Sequence, residues 1–295
     1  MGPPEGNLLA DAISTTRDVS RILTVADGGE KLWRVCSSQV RRMGWAEWPP
    51  SSSSGRATKS FCTPATSGGD RKRCPPSPER RRLSSAILTS IAQTRSVADQ
   101  VNRLGSFDGV IHNAAVGYQE PRRIATEDGL PHVFAVNTLA PYILTALIRR
   151  PRHLVYLSSG LHQRGDASLK DLAWEHRPWQ GQQAYSDTKL HDVLLAFAVA
   201  RRWPDVLSNA LEPGWVPTKM GGPQAPDDLD AGHRTQVWLA ASDDPAAMVT
   251  GEYFYHLRLR RPNPASRDME QQEKLLDACK SFSGVDLPHG HLETK

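Results

Sequence analysis

The chain has 295 residues, 39% hydrophobic and 23% charged, with 36 Lys and Arg against 32 Asp and Glu for a net charge of +4. This is the range of an ordinary globular chain of one large domain or two small ones, and it excludes collagen-like, disulfide-scaffold and highly charged disordered classes. No apolar run approaches the ~20 residues of a membrane helix. There is no signal-peptide pattern, and the four cysteines (Cys36, Cys62, Cys74, Cys279) form no CxxC pair; a reducing, cytoplasmic setting without a metal site is the expectation.

Along the chain, residues 1–34 are mixed, with a short helix expected around LLADAIS and little else. About half of residues 49–85 are Ser, Pro or Gly. That composition has neither helical nor strand periodicity, so 1–88 reads as a low-complexity, disordered or mistranslated segment ahead of a folded domain over 89–295. Arg71, Lys72, Arg73, Arg80, Arg81 and Arg82 form a basic run there. With no aromatic or helical pattern to organise it, the run reads as a solvated loop rather than a nucleic-acid surface.

From about 92 the pattern becomes regular. TRSVADQVNRLG has helical apolar spacing and ends in Gly105, a C-cap residue. FDGVIHNAAV reads as a buried strand running into a small-residue turn. HVFAVNTLAPYILTALIRR is a long helix in which Pro141 predicts a kink. RHLVYLSSG is a second buried strand, and AYSDTKLHDVLLAFAVARRW a second long helix stopped by Pro204. VLSNALEPG is a third strand. DDLDAGHRTQVWLA is a helix with a capping start, GEYFYH a short strand, and DMEQQEKLLDACKSF a last amphipathic helix. Strands alternating with long helices imply right-handed crossovers and a doubly wound parallel sheet. Ligands bind beyond the carboxyl ends of such strands, which singles out the turns HNAAVG, LSSG and EPGWVPT.

Tyr185 and Lys189, four apart on a helix, share one face. An ammonium beside a phenol favours the phenolate and suits the tyrosine to proton transfer. Ser159 ends the preceding strand, where its hydroxyl can polarise a carbonyl. Asn137 lies in an apolar helix and needs a polar partner. Alone, a Tyr-x-x-x-Lys spacing often marks nothing more than a solvated helix face.

Together these residues resemble the short-chain dehydrogenase/reductase family. The family's Asn-Asn-Ala-Gly turn corresponds to His112-Asn113-Ala114-Ala115. Its helix asparagine corresponds to Asn137, its serine to Ser159, its Tyr-x-x-x-Lys to Tyr185 and Lys189, and its Pro-Gly loop to Pro213, Gly214, Val216 and Thr218. The resemblance implies a Rossmann-like fold and NADP or NAD, held by Asn113, Ala114, Ala115, Tyr185, Lys189, Pro213, Gly214, Val216 and Thr218. It implies Tyr185 as proton donor and acceptor, Lys189 as ribose anchor, Ser159 as carbonyl polariser and Asn137 as holder of a relay water. The expected substrate is a small hydrophobic carbonyl compound or alcohol, under an apolar lid made by WVPTKMGG and the Trp174/Trp179 loop. A homo-oligomer is compatible with this family. The long Ser159–Tyr185 interval, with Asp171-Leu172 and Tyr185–Leu190, looks like the retinol-dehydrogenase-like branch.

The family's opening T-G-x-x-x-G-x-G motif is absent, so the N-terminal βαβ unit is expected to be missing or disrupted. Those glycines bring backbone N–H groups to a cofactor diphosphate. Read from the third base of each codon, however, Met43-Gly44 must give GGG and Trp45-Ala46 must give GGC, both glycine. The other codons of CSSQVRRMGWA permit the rest of the motif. The same offset over 55–66 forces a leucine from Phe61-Cys62 and permits a second strand followed by Arg, a residue suited to a 2′-phosphate. Residues from about 34 to 88 are therefore expected to be an out-of-frame stretch. The alternative is a cofactor-poor Rossmann-like remnant that binds without catalysing, or does nothing.

Overall fold

A computed structural model describes the backbone of residues 22–25 and 33–36, and residues 88–218 and 220–290 in detail. Seven strands form one sheet in the order β2-β1-β3-β4-β5-β6-β7. They are β1 (Ile22–Val25), β2 (Trp33–Cys36), β3 (Gly109–His112), β4 (His153–Leu157), β5 (Leu207–Glu212), β6 (Tyr253–Tyr255) and β7 (Arg258–Leu259). The run β1, β3, β4, β5, β6 is parallel, whereas β2 and β7 pair antiparallel at the two edges.

The helices are α1 (Ile91–Leu104), α2 (132–147), α3 (Gly181–Arg202), α4 (Leu229–Ala241) and α5 (Met269–Ser283). Alternate strand residues face opposite layers. Val110, Leu154, Tyr156, Ala210 and Tyr253 pack into one core with α1, α2, α3 and α5. Ile111, Val155, Leu157, Leu211 and Phe254 pack into a second core against α4. Burial on both faces is why β3, β4 and β5 read as continuous apolar runs rather than alternating ones.

The expected helix signals are used. Ser90 caps α1 and Gly105 closes it at φ 106°. Asp228 caps α4 and Asp268 caps α5 through their side chains. Pro141 acts differently from the expected kink. It sits at the second position of Ala140–Leu147, just after a π-helical turn over Ala135–Leu139 in which the Ala140 N–H bonds to the Ala135 carbonyl. Proline has no N–H for the carbonyl four residues back, and the wider turn absorbs that loss.

The two N-terminal strands correct the reading of 1–34 as almost structureless. ILTV is apolar and β-branched, but four residues carry no periodicity to detect. β1 takes the place beside β3, with Val25 in register with His112. WRVC, the lead-in to the out-of-frame motif, pairs antiparallel on its outer side. The helix expected around LLADAIS, the basic run and the shifted-frame motifs all lie outside the described residues.

Candidate active site

Because β3, β4 and β5 run in parallel, their carboxyl ends open on one edge of the sheet, and α3 crosses beside that edge. Tyr185 lies in the first turns of α3, 6% exposed, with Ser159 near enough to lower the pKa of its phenol. Its O–H also reaches the Met220 Sδ at 3.9 Å. Lys189 is one turn further along, with Nζ 5.6 Å from the centre of the Tyr185 ring. That ammonium donates to the Leu157 carbonyl and to Asp192 Oδ2, each at 2.8 Å. The side chains of Lys189 and Asp192 are 3% and 4% exposed.

Burial raises the Tyr185 pKa and outweighs the lowering by Lys189 and Ser159, while Asp192 adds to the rise. For Lys189, burial works against the charge, but the Asp192 carboxylate and Tyr185 more than restore it, so its pKa stands above the usual lysine value. Burial moves Asp192 up to about 6 even with Lys189 beside it. The pair is therefore ionised at neutral pH.

Ser158 and Ser159 divide the work at the end of β4. The Ser158 hydroxyl donates to the Lys189 carbonyl at 2.7 Å, tying α3 to the sheet. Ser159 caps the short 3-10 helix Gly160–Arg164 and is the hydroxyl that lowers the Tyr185 pKa. Behind it, His162 bonds through Nδ1 to the Ser159 carbonyl at 2.6 Å and to the Tyr253 hydroxyl at 3.3 Å.

Asn137 sits inside the π turn, 1% exposed. Its Oδ1 accepts from the Val116 N–H at 2.8 Å, and its Nδ2 donates to the Val116 carbonyl and to Thr188 Oγ1, both at 3.1 Å. The side chain thus spends its hydrogen bonds clamping the Asn113–Val116 turn to α3. Asn113, Ala114 and Ala115 lie in that turn at the end of β3, with Ala114 buried.

His112, in the first position of the turn motif, faces the core instead. It bonds to Thr145 Oγ1 at 3.0 Å, and Thr145 bonds to the Tyr156 hydroxyl at 2.7 Å. Burial lowers its pKa to about 3, so it is a neutral core histidine.

After β5, Pro213 and Gly214 turn the chain. Gly214 has φ +87°, and a Cβ there would lie 2.5 Å from Asp227 Oδ2, so glycine is required on both counts. Val216 packs on Gly232, with Cγ1 2.7 Å from the position a Cβ would take there. Thr218 is exposed, and its hydroxyl accepts from the Gly221 N–H at 3.2 Å, which ties the loop to itself.

The long interval before α3 is pinned by Arg177, which stacks on Trp174 and bonds to Asp187 at 2.8 Å. Trp174 and Trp179 meet edge to face, and both pack in the apolar cluster around Tyr185 with Val133, Tyr118, Leu161 and Met220. Two site residues had not been singled out in the sequence. Asp192 has a local signal, because it is three residues past Lys189 and shares its helix face. His162 has none, because beyond the nearby Ser159 carbonyl its partners Tyr253 and Asn263 come from β6 and the segment after β7.

No protein-family profile matches the chain. It is 42% identical over 207 residues to an uncharacterized oxidoreductase of Emericella nidulans, covering 69% of this chain and 78% of that one. Over the same length it is 40% identical to the short-chain dehydrogenase chry4 of Gibberella zeae, covering 69% and 79%. The chain belongs to the short-chain dehydrogenase/reductase family. Its general chemistry is accordingly NAD(P)-dependent oxidoreduction. Retinol dehydrogenase 13 of Mus musculus is 29% identical over 239 residues, covering 71% of this chain and 69% of that one. Among solved structures, an uncharacterized protein from Mycobacterium paratuberculosis matches the fold with a TM-score of 0.59 at 24% identity, over 69% of this chain and 75% of that one. Among the described residues, no helix is long and apolar enough to cross a membrane.

The residues at the three strand ends fit the nicotinamide end of such a cofactor. The Asn113–Val116 turn is braced rather than loose, and Lys189 brings a positive charge fixed by Asp192. A glycine-rich turn for the diphosphate is not present among the described residues, and its shifted-frame counterpart falls within 37–87.

Proposed function

We propose that the chain interconverts a ketone or aldehyde and its alcohol on an apolar substrate, with Tyr185 as the proton donor and acceptor. The observation that carries this reading is the grouping of buried Tyr185 and Lys189 with half-buried Ser159, assembled from α3 and the end of β4. A bound NADP or NAD would supply or take up the hydride. Ser159 and Tyr185 offer two hydroxyls to one carbonyl oxygen, and Tyr185 releases its proton to that oxygen as the alcohol forms. Lys189 holds positive charge beside the phenol and so favours the phenolate left behind. Two of its three N–H groups are committed to Leu157 and Asp192; the third would serve a ribose hydroxyl of a bound cofactor. Asn137 acts through its clamp on the Asn113–Val116 turn. Tyr118, Trp179 and Met220 give the entrance an apolar, aromatic wall.

Replacing Tyr185 by Phe removes the transferable proton and keeps the ring. Turnover of an apolar ketone with NADPH should fall at least ~100-fold, with the thermal midpoint nearly unchanged. Activity that survives the substitution refutes the role of Tyr185.

A second reading is favoured by the glycine codons forced at Met43-Gly44 and Trp45-Ala46. Under it the encoded enzyme carries a glycine-rich turn that this chain lacks, and the chain is a cofactor-poor remnant. Sequencing the gene across codons 30–90 and measuring the NADPH-induced thermal shift separates the two. No shift for this chain, with a shift once the frame is restored, supports the remnant.

A further inference from the structure

Met220 touches the phenol hydroxyl that the proposed reaction uses. Its thioether lies 3.9 Å from the Tyr185 hydroxyl, and its Cγ lies 3.5 Å from where a Cβ on Gly117 would be. It packs on the apolar cluster that contains Tyr185, Trp174 and Val133.

The loop that delivers Met220 is tied to itself. The Thr218 N–H donates to the Val216 carbonyl at 2.7 Å, and the Gly222 N–H donates to the Thr218 carbonyl at 2.9 Å. The Trp215 indole N–H bonds to the Gly221 carbonyl at 2.9 Å, and the Asp227 N–H bonds to the Trp215 carbonyl at 3.1 Å. Trp215 itself is 54% exposed.

We propose that Met220 is the specificity-determining residue of this site, capping Tyr185 until an apolar carbonyl substrate displaces it. The proposal rests on Tyr185 being the proton donor. A thioether sulfur is a weak acceptor, so the phenol gives up little when a carbonyl oxygen replaces it. Methionine has three rotatable bonds and can swing aside at small cost. What its departure removes is apolar contact with Tyr185 and its neighbours. A flat or extended apolar ketone restores that contact, and a small polar carbonyl compound does not. The cap therefore favours the former through the hydrophobic effect, which scales with the apolar area returned to cover.

The test uses the full chain with Met220→Ala and Met220→Leu. The first readout is nitration of Tyr185 by tetranitromethane, followed by mass spectrometry and independent of cofactor. Tyr185 should be protected in the parent and in Met220→Leu, and should lose that protection in Met220→Ala. The second readout is kcat/KM for an apolar aryl ketone against that for a small polar ketone. In Met220→Ala the preference for the aryl ketone should fall about 10-fold, with Met220→Leu near the parent. Unchanged protection of Tyr185 in Met220→Ala overturns the cap. Turnover that survives in Tyr185→Phe overturns the proton-donor reading, and the cap's role in specificity with it.

Discussion

Asp192 is a carboxylate inside the protein with one ammonium beside it, and its replacement by Asn gives opposite effects on stability and activity. Asn matches the shape of the protonated acid. At 2.8 Å from Lys189 Nζ, the attraction is about 6 kcal/mol at an effective dielectric constant of about 20. Burial nonetheless lifts Asp192 from 3.8 to about 6. That rise disfavours the ionised form by about 3 kcal/mol relative to the unfolded chain, so desolvation exceeds the attraction. The sign follows from linkage: a raised folded pKa adds stability below 3.8, and this contribution is lost as pH climbs through about 6. The Asp192→Asn variant has no carboxyl to ionise and escapes this loss. The thermal midpoints of parent and variant should coincide near pH 4. By pH 7 the variant should be more stable by about 3 kcal/mol, or roughly 5–10 °C for a domain of this size. Its catalysis should suffer, because burial without the counter-charge lowers the Lys189 pKa and moves the alkaline limb of the turnover profile to lower pH. Melting curves at several pH values, with turnover measured alongside, provide the assay. A variant less stable than the parent by the same margin at pH 4 and pH 7 would refute the reasoning, because the pair's attraction would then exceed its desolvation.

Two other substitutions test the supporting structure. Asn137→Ala leaves the Val116 N–H, the Val116 carbonyl and Thr188 without their partner; it should cost about 2–3 kcal/mol in denaturant unfolding and weaken NADPH binding measured by fluorescence. His112 is held neutral, with its pKa lowered by burial to about 3. The unfolded chain takes up that proton first, so stability is lost as pH falls from about 6.5 towards 3. His112→Asn should flatten this acid limb by up to ~1.4 kcal/mol per pH unit, as read by urea midpoints at pH 6, 5 and 4; an unchanged slope would show that the histidine is not held neutral.

Much of the candidate site was legible because its parts are local. Tyr185 and Lys189 are related by helical spacing, and Ser159 and Gly214 by their positions just past apolar strands. A helix or a strand fixes such relations within a few residues. Asn137 was legible as a polar residue in an apolar helix, though not what it holds, because Val116 and Thr188 come from other elements. The same limit hid the neutral His112–Thr145–Tyr156 contact and the contact of His162 with Tyr253. Thr218, expected to contact the cofactor, accepts the Gly221 N–H within its own loop and keeps its O–H to donate.

The sequence alone determined the alternation of buried strands and amphipathic helices, and with it a parallel sheet whose carboxyl edge gathers the candidate site. It also singled out Tyr185, Lys189 and Ser159 as candidates, through spacing along single elements and resemblance to a family. Tertiary structure decided the rest. It set Asp192 against Lys189, brought Met220 to the Tyr185 hydroxyl, turned His112 into the core and placed ILTV beside β3. Each of these depends on which distant segments share a buried space, where desolvation and packing, rather than spacing along the chain, set the energy.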